Sequence, residues 1–221
     1  MRYSWDMASG FSKFKLSALV LLALLAAPLA RAEQVLLVFG DSLSAAYGIS
    51  PSQGWVALMG ERIARAKLPW QVVNASVSGE TTSGGLRRLP EDLRRHKPGA
   101  VLIALGPNDA LRGQPVANSR ANLEHMIADV RKANAEPVLI GFMIPPNYGI
   151  DYAREFHEMY AQLAKKHKLA LVPFLLEGIA QQRELFQPDQ LHPTAAAQPR
   201  ILDNVWPVVE PVLKKRAARA P

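Results

Sequence analysis

A serine, a histidine and an aspartate of this chain have the residue types and surroundings that nucleophilic catalysis requires. Ser42 follows Gly40-Asp41, turn residues at the end of the short apolar run 35–39. Such a run predicts a strand buried on both faces, and open α/β sheets hold their ligands at the carboxyl ends of such strands. A serine hydroxyl becomes a good nucleophile only when a base takes its proton. Ser42 is therefore a candidate nucleophile that needs a base.

His192 is the best candidate for that base among the five histidines. It lies in a predicted loop just before a helix, and Asp189 precedes it by three residues. One turn can bring this carboxylate to the imidazole, where it would fix the tautomer and stabilise the cation. An Asp-x-x-His pattern alone is a weak signal. The other four histidines lie on predicted helices, where surface or capping roles are the ordinary explanation: His96, His125, His157 and His167.

Catalysis at a carbonyl also needs hydrogen-bond donors aimed at the oxyanion of the tetrahedral intermediate. The candidates are the Ser42 N–H, the Gly79 N–H and the side-chain amide of Asn108. If a helix began soon after Ser42, its free N–H groups and positive end would face the same oxyanion. Gly79 and Asn108 also fit ordinary turn positions, so the residues alone leave their roles open.

Strands and helices alternate along the chain. Apolar runs predict further strands over 70–75, 100–105, 137–144 and 169–172. Helical spacing predicts helices over 55–66, 86–96, 115–134, 152–167 and 194–213, the last capped by Thr194, with a weak helical piece over 174–186. This alternation predicts an α/β fold with a parallel sheet and helices on both faces. Ser42, the loop 76–85 and Asn108 should then meet at one edge of the sheet.

The first 32 residues have the pattern of a secretory signal. Lys13 and Lys15 precede the apolar run 16–27, and Ala30-Arg31-Ala32 offers small residues for cleavage after position 32. The run is shorter than the roughly 20 residues that span a bilayer, so a retained anchor is disfavoured. Met7 is an alternative start. We expect a signal peptide over 1–32, one domain over 33–213, a basic tail over 214–221, and a periplasmic or secreted protein.

Charge and composition exclude several classes of function. The net charge is +7, and residues 1–32 carry four basic and one acidic residue, so their removal leaves +4. This mildly basic balance predicts no nucleic-acid partner. The basic tail could make a transient contact with an anionic membrane surface, although a solvated end is the commoner reading. With no cysteine, the chain has no disulfide, thiol nucleophile or zinc-thiolate site.

Four segments, in order, resemble the sequence blocks of the SGNH (GDSL) hydrolases. They are Gly40-Asp41-Ser42-Leu43-Ser44, Asn74-Ala75-Ser76-Val77-Ser78-Gly79, Gly106-Pro107-Asn108-Asp109 and Asp189-Gln190-Leu191-His192-Pro193. Each block is weak alone, but four in register are specific. The chain is most similar to the secreted bacterial branch called thioesterase I, protease I, arylesterase or lysophospholipase, over nearly all of residues 33–221.

The resemblance implies a role for each site residue. Ser42 would be the nucleophile, His192 the base and then the acid, and Asp189 the residue that orients it. The oxyanion hole would comprise the Ser42 and Gly79 N–H groups and Asn108. It further implies a flavodoxin-like, five-stranded fold, no metal and no cofactor. We expect a monomer acting on small acyl esters, thioesters or lysophospholipids.

Two residues depart from the family's pattern. Pro107 fixes φ and removes an N–H beside Asn108. Ala46 stands where this branch commonly has glycine and could crowd the start of a helix after Ser42. Because neither removes a reacting group, we expect an altered rate or selectivity and not inactivity.

Five apolar residues on loops at the predicted edge are candidates for an acyl groove, although such residues often serve as core or capping residues instead: Leu111, Ile144, Tyr148, Phe186 and Leu191.

Three other readings compete with this one. An α/β-hydrolase has the same Ser, Asp, His order, but Ser44 stands where its Gly-x-Ser-x-Gly motif has the second glycine. The segment 79–84 is similar to a phosphate-binding P-loop, yet Gly85-Leu86 replaces the required Lys and Ser/Thr. The third reading is a non-catalytic secreted binding protein on the same scaffold, because fold alone does not decide function.

Overall fold

The computed structural model describes Met1 and residues 33–219. The predicted signal segment, apart from Met1, lies outside the described residues. Residues 33–219 are built around a five-stranded parallel sheet in the order β2-β1-β3-β4-β5. Its strands are β1 (Gln34–Gly40), β2 (Trp70–Asn74), β3 (Ala100–Ala104), β4 (Glu136–Ile140) and β5 (Ala170–Val172). This is the flavodoxin-like order, so the predicted fold class is confirmed.

Helices cover both faces of the sheet in the described part of the chain. They are α1 (Trp55–Arg65), α2 (Thr82–His96), α3 (Pro107–Leu111), α4 (Val116–Lys132), α5 (Ile150–His167) and α6 (Gln198–Arg219). Helices α2, α4 and α5 pack side by side on one face, whereas α1 and α6 pack together on the other. Short 3-10 segments occupy Pro51–Gln53, Pro146–Tyr148, Arg183–Leu185 and Ala195–Ala197.

The neighbouring strands β1, from Leu36 onward, and β3 are buried because helices cover the sheet on both sides. Val38 of β1 lies opposite Leu102 of β3, and neither is exposed to solvent. A strand that is buried on both faces has a continuous run of apolar residues, and not an alternation of apolar and polar residues. The predicted strand over 35–39 and the predicted strand over 100–105 are confirmed for this reason.

The order of the strands creates the position of the site. The chain leaves β1 for β2 on one side and later crosses to β3 on the other, so β1 and β3 are neighbours whose following loops diverge. A crevice opens at such a switch point, outside the carboxyl ends of the strands. Ser42 follows β1 and Asn108 follows β3, so both border this crevice.

Helix α2 begins four residues earlier than the sequence predicts. The Thr81 hydroxyl accepts the Gly84 N–H and caps the helix, which starts at Thr82. Gly85 packs so closely that a Cβ there would lie 2.4 Å from Cδ1 of Leu105. Gly85, one of the glycines that predict a loop, therefore serves close contact between a helix and the core.

From the sequence, we expect a helix end to face the oxyanion if a helix begins soon after Ser42. No helix begins directly after Ser42, so that condition is not met. Residues 41–49 form successive turns, and the next α-helix starts at Trp55. Ala46 does lie against the start of α1, since a Cβ added at its N-cap residue, Gly54, would come 2.8 Å from the Ala46 Cβ. It also adopts φ of 59°, the left-handed region that favours glycine.

The last helix also differs from its prediction. Helix α6 continues through Pro207 and Pro211 to Arg219, so the basic residues after 213 are helical as far as the structure describes them. The Thr194 hydroxyl donates to the Leu185 carbonyl and does not cap the helix. Packing of the buried face of α6 outweighs the helix-breaking tendency of the two prolines.

Among the described residues, no helix combines the length and apolar character that crossing a membrane would require.

Candidate active site

Ser42 is half-buried in the turn that follows β1. Its Oγ lies 2.8 Å from Nε2 of His192, 150 residues further along the chain. This is hydrogen-bond distance, at which an imidazole can take the hydroxyl proton. The structure thus brings together the serine and the histidine that the sequence singled out.

Asp189 is bonded to the other side of the same imidazole. Its Oδ2 lies 2.7 Å from Nδ1 of His192. Its Oδ1 accepts the N–H groups of Leu191, at 2.9 Å, and of His192, at 3.1 Å. The hydrogen bond with His192, followed by the one from the Leu191 N–H, lowers the pKa of Asp189 to about 2. The carboxylate therefore stays charged at neutral pH and holds one imidazole nitrogen while the other faces Ser42.

Asn108 lies in the first turn of α3 and points toward residues 41–48, the turn that carries Ser42, which we call the serine turn. Its Nδ2 donates to Oδ2 of Asp41 at 3.2 Å, and its side chain lines the same cavity as Ser42 and His192. An amide nitrogen carries two hydrogens, so a second one is available to a ligand. Pro107 precedes it at the first position of the helix, where a missing N–H loses no intrahelical bond.

Gly79 lies in the loop after β2, beside the serine turn. The Val77 N–H donates to the Gly40 carbonyl at 3.0 Å, and Nη2 of Arg112 donates to the Gly79 carbonyl at 3.2 Å. Gly79 has φ of 78°, yet a Cβ there would meet nothing within 4 Å. Backbone conformation, and not space, therefore requires the glycine.

Two backbone donors in this region are unused. Within the described residues, no hydrogen bond engages the N–H of Ser42 or that of Gly79. Backbone N–H groups in folded proteins usually have a partner, so donors left open at a site are suited to a ligand. With the Asn108 amide, they are the three donors that the sequence nominated for an oxyanion.

Asp41 lies behind these three hydrogen-bond donors and is almost completely buried. Burial raises its pKa to about 7, although the Leu43 N–H and the Asn108 amide oppose the rise. At neutral pH its carboxyl group is therefore partly protonated. The protonated fraction of Asp41 presents no competing negative charge to the neighbouring donors.

Sequence reasoning missed the role of Asp109. This buried side chain accepts the Thr82 N–H at 2.8 Å and the Thr82 hydroxyl at 2.7 Å. It thereby ties the first turn of α2 to α3, which carries Asn108. An aspartate in a turn after a strand gives no sequence signal of such a contact, because its partner is 27 residues away.

The site opens into one cavity of about 820 Å³. Four of the five residues predicted for an acyl groove line it: Leu111, Ile144, Phe186 and Leu191. Tyr148 does not, so its placement in the groove is wrong. It is exposed at the end of the Pro146–Tyr148 segment, and the neighbouring Pro145 and Pro146 line the cavity instead.

The remaining histidines make contacts elsewhere or lie on the surface. Nδ1 of His157 lies 3.2 Å from the Phe142 carbonyl, and Nε2 of His167 lies 3.1 Å from Glu124. His96 lies 3.9 Å from Asp92, and His125 is exposed on α4. His192 is therefore the histidine that the described structure places at Ser42.

At the carboxyl edge of the flavodoxin-like sheet, a serine is hydrogen-bonded to a histidine and the histidine to an aspartate. This is the catalytic triad of a serine hydrolase. Comparison with known proteins identifies the family within this class of enzymes. Residues 38–199 match the model of the GDSL-like Lipase/Acylhydrolase family. The chain belongs to this family and is a hydrolase of the esterase and thioesterase type.

Three similar proteins support this assignment. Esterase TesA of Pseudomonas aeruginosa is 49% identical over 182 residues, covering 82% of this chain and 90% of its own. Thioesterase 1/protease 1/lysophospholipase L1 of Escherichia coli K12 is 41% identical over 188 residues, covering 83% and 87%. An arylesterase of Vibrio mimicus is 40% identical over 191 residues, covering 86% and 95%.

The fold agrees with these similarities. A crystal structure of TesA superposes with a TM-score of 0.79 at 49% identity, covering 81% of this chain and 99% of that one. Each of these relatives carries the name of an enzyme. None of these comparisons supports the interpretation as a non-catalytic binding protein.

Proposed function

We propose that the protein hydrolyses carboxylic esters and acyl thioesters through an acyl-enzyme on Ser42. The observation that carries this proposal is the continuous chain from Oγ of Ser42 through the His192 ring to the Asp189 carboxylate, open to an apolar cavity. Ser42 attacks the carbonyl carbon while His192 takes the hydroxyl proton. Asp189 stabilises the imidazolium that results.

The remaining steps use the same groups. The N–H groups of Ser42 and Gly79 and the Asn108 amide hold the tetrahedral oxyanion. His192 then gives its proton to the leaving alcohol or thiol as the C–O or C–S bond breaks. Water, deprotonated by His192, attacks the acyl-enzyme, and proton return to Ser42 releases the carboxylic acid.

The apolar lining of the cavity supports an acyl chain as the group bound beside Ser42. Ile144 and Phe186 offer hydrocarbon surface, and the cavity volume of about 820 Å³ lies within the range of sites that enclose small ligands. If the chain is exported, acyl-CoA is scarce where it acts. Lysophospholipids and other carboxylic esters are then the natural substrates, and thioesters react in vitro.

Substitution of the reacting groups tests the proposal. Ser42→Ala and His192→Ala should each lower kcat on p-nitrophenyl butyrate by about 10⁴-fold or more, and Ser42→Ala should lose labelling by a fluorophosphonate. Ser52→Ala and His125→Ala change exposed residues of the same types and should keep the parent rate. Full activity in Ser42→Ala would exclude the acyl-enzyme at this position.

We further propose that the protein works in the periplasm or is secreted, as the signal pattern of residues 1–32 suggests. Expression of the full chain in a Gram-negative host should yield a processed form outside the cytoplasm that begins at Glu33. Mass spectrometry of that form checks the cleavage, and an unprocessed cytoplasmic product would contradict it.

We also propose that the mouth of the cavity contacts lipid surfaces transiently. Apart from Met1, the exposed large hydrophobic residues of the described chain all lie on segments at the carboxyl ends of the strands. We call this set the apolar rim: Tyr47, Val77, Met143, Tyr148, Ile150 and Leu191. Met143 and Leu191 also line the cavity, so the rim and the cavity share part of their surface.

Acidic side chains on the segments that carry Ile150 and Val77 are paired with arginines. Asp151 pairs with Arg154 at 2.7 Å, and Glu80 pairs with Arg88 at 3.2 Å. An apolar surface without a strong field of either sign suits a zwitterionic lipid surface better than an anionic one. Lysophospholipids occur in such surfaces.

The basic end of α6 is not suited to this contact. Nε1 of Trp70, at the start of β2, donates to the Leu213 carbonyl, and Arg216 donates to the carbonyl of Asn134, just before β4. Both contacts lie at the edge of the sheet opposite Ser42. A membrane bound there would face away from the cavity.

A further inference from the structure

Ser42 and His192 are 150 residues apart, yet their side chains meet at 2.8 Å. That distance depends on how the serine turn, residues 41–48, is held against the histidine loop, residues 185–194. The reacting hydrogen bond itself is too weak to hold two loops in place, since a typical one contributes only about 1 kcal/mol net. Other contacts across the same gap must fix the two loops.

Gln187 makes such a contact. Its Nε2 donates to the Tyr47 carbonyl of the serine turn at 2.8 Å and to the Pro193 carbonyl of the histidine loop at 3.2 Å. An amide nitrogen has two hydrogens, and here each goes to a different loop. The Gln187 backbone is also bonded within the histidine loop, where its N–H donates to the His192 carbonyl at 2.8 Å.

The serine turn is shaped to receive this side chain. Gly48 has φ of 74°, and a Cβ there would lie 2.0 Å from Oε1 of Gln187. Glycine is thus required twice, for its backbone conformation and for close approach to the amide. The Tyr47 ring lies over the His192 ring, with centroids 4.4 Å apart, as a second contact across the gap.

We propose that Gln187 is a positioning residue for the hydrolytic reaction, holding the histidine loop on the serine turn so that Nε2 of His192 stays within reach of Oγ of Ser42. The inference rests on the proposed roles of Ser42 and His192. Gln187 touches neither of the two reacting atoms. It acts through the Tyr47 and Pro193 carbonyls.

Because Asp189 and His192 share the histidine loop, loss of the Gln187 bridge should move them together. Their mutual hydrogen bond should survive, whereas the contact with Ser42 should lengthen. A misplacement of about 1 Å between reacting groups can cost about 100-fold in rate. The expected signature is therefore a fall in kcat with an intact Asp189–His192 pair.

The sharpest variant is Gln187→Glu, which keeps the shape but removes both donors and places a carboxylate against two carbonyl oxygens. It should lower kcat on p-nitrophenyl acetate by about 10- to 100-fold and leave KM within about 2-fold. The low-field proton resonance of the imidazole N–H bonded to Asp189 should persist. Gln187→Ala should show the same pattern.

Gln53→Glu is the matched control. Gln53 is exposed, lies outside the cavity, and uses its Oε1 only as an acceptor for the Ser50 N–H, a bond that a carboxylate keeps. This variant should retain the parent kcat. Ser42→Ala, assayed in parallel, separates the two proposals: its full activity would remove the catalytic serine. An inactive Ser42→Ala beside a fully active Gln187→Glu would overturn only the positioning role.

A double-mutant cycle with Gly48 adds a second test. Gly48→Ala should lower kcat because its Cβ displaces Gln187. Combined with Gln187→Ala, the side-chain obstacle is absent and only the backbone strain at φ of 74° remains, so the double variant should lose clearly less kcat than the product of the two single losses. Independent, multiplying losses would overturn the proposal. So would loss of the low-field resonance in Gln187→Glu, since that would report a disordered loop.

Discussion

At the scale of single residues, the site combines two carboxyl groups with opposite environments. Asp189, 39% exposed at its side chain, has its pKa lowered to about 2 by the hydrogen bond with His192. Asp41, 1% exposed, has its pKa raised to about 7 by burial. The first keeps its charge beside an imidazole that becomes positive. The second is only partly ionised at neutral pH and lies behind groups that face a developing negative charge.

Asn108→Ala should separate oxyanion stabilisation from nucleophile activation. The variant retains Ser42 and His192, so a fluorophosphonate should still label Ser42. The loss of one oxyanion donor should lower kcat by about 10²- to 10³-fold. Steady-state turnover of p-nitrophenyl butyrate and the labelling rate measure the two effects. Unchanged turnover would remove Asn108 from the oxyanion hole.

The Asp41 carboxyl group should make stability depend on pH. An unfolded aspartate ionises near its ordinary pKa of 3.8, whereas the native group keeps its proton to about pH 7. Raising the pH between these values therefore favours the unfolded chain, and native stability falls by an amount on the order of 4 kcal/mol. Below about pH 4 and above about pH 7 this group contributes no slope.

Asp41→Asn removes this titration. Urea unfolding between pH 4 and 8 should show the parent losing stability relative to the Asn variant as pH rises through the window from about 4 to 7. Parallel stability curves for the two proteins would contradict the raised pKa of Asp41.

At the scale of elements, the serine turn is the unusual segment. It replaces the helix start that would otherwise follow β1, and it holds Ala46 at φ of 59°. Left-handed backbone costs an alanine about 1 kcal/mol relative to glycine. The turn tolerates that cost because neighbouring contacts fix it, including Nε1 of Trp55 donating to the Leu43 carbonyl at 3.0 Å.

Ala46→Gly should therefore stabilise the protein by at most about 0.5 kcal/mol, because the roughly 1 kcal/mol relieved in the turn is offset by about 0.5–1 kcal/mol from the greater freedom of glycine in the unfolded chain. Ala45→Gly is the matched control. Ala45 lies outside the positive-φ residues, so the same substitution should destabilise by about 0.5–1 kcal/mol. Chemical denaturation measures both. An Ala46→Gly variant destabilised as much as Ala45→Gly would show that the left-handed conformation carries no cost here.

At the scale of the whole molecule, the two edges of the sheet have different surfaces. The edge that carries Ser42 bears the apolar rim, and the opposite edge bears the basic end of α6. A monomeric substrate in solution needs only the cavity. A substrate in a lipid aggregate must also be approached by the surface around the cavity mouth.

Ile150→Asp should distinguish these two situations. Ile150 is 74% exposed and opens α5, where an acidic residue is favourable to the helix. Hydrolysis of monomeric p-nitrophenyl acetate should be unchanged. Binding of the Ser42→Ala form to phosphatidylcholine vesicles should fall by about 10-fold, since burial of an isoleucine contributes about 1.5–3 kcal/mol.

The control for this experiment is Lys215→Gln with Arg219→Gln at the basic end of α6. It should leave vesicle binding unchanged if the apolar rim makes the contact. Loss of binding in the control, with Ile150→Asp unaffected, would place the contact at the opposite edge and contradict the proposal.

The sequence by itself determined the sheet and the identity of the groups at the site. Buried parallel strands must be apolar throughout, so β1 and β3 were recognisable from composition alone. Parallel strands bring their following loops to one edge, so Ser42 and Asn108 could be expected together. His192 was distinguished from four helical histidines by its loop position and by Asp189, because a local turn can be read from neighbouring residues.

Tertiary structure alone decided the contacts between segments distant in sequence. The start of α2 at Thr82, the buried Asp109 contact, the left-handed Ala46 and the Gln187 bridge each depend on a partner outside the local window. Tyr148 was misplaced for the same reason, since an apolar residue on an edge loop can face the cavity or the solvent. Local pattern reports which face a residue prefers to bury, whereas packing across the chain fixes what it meets there.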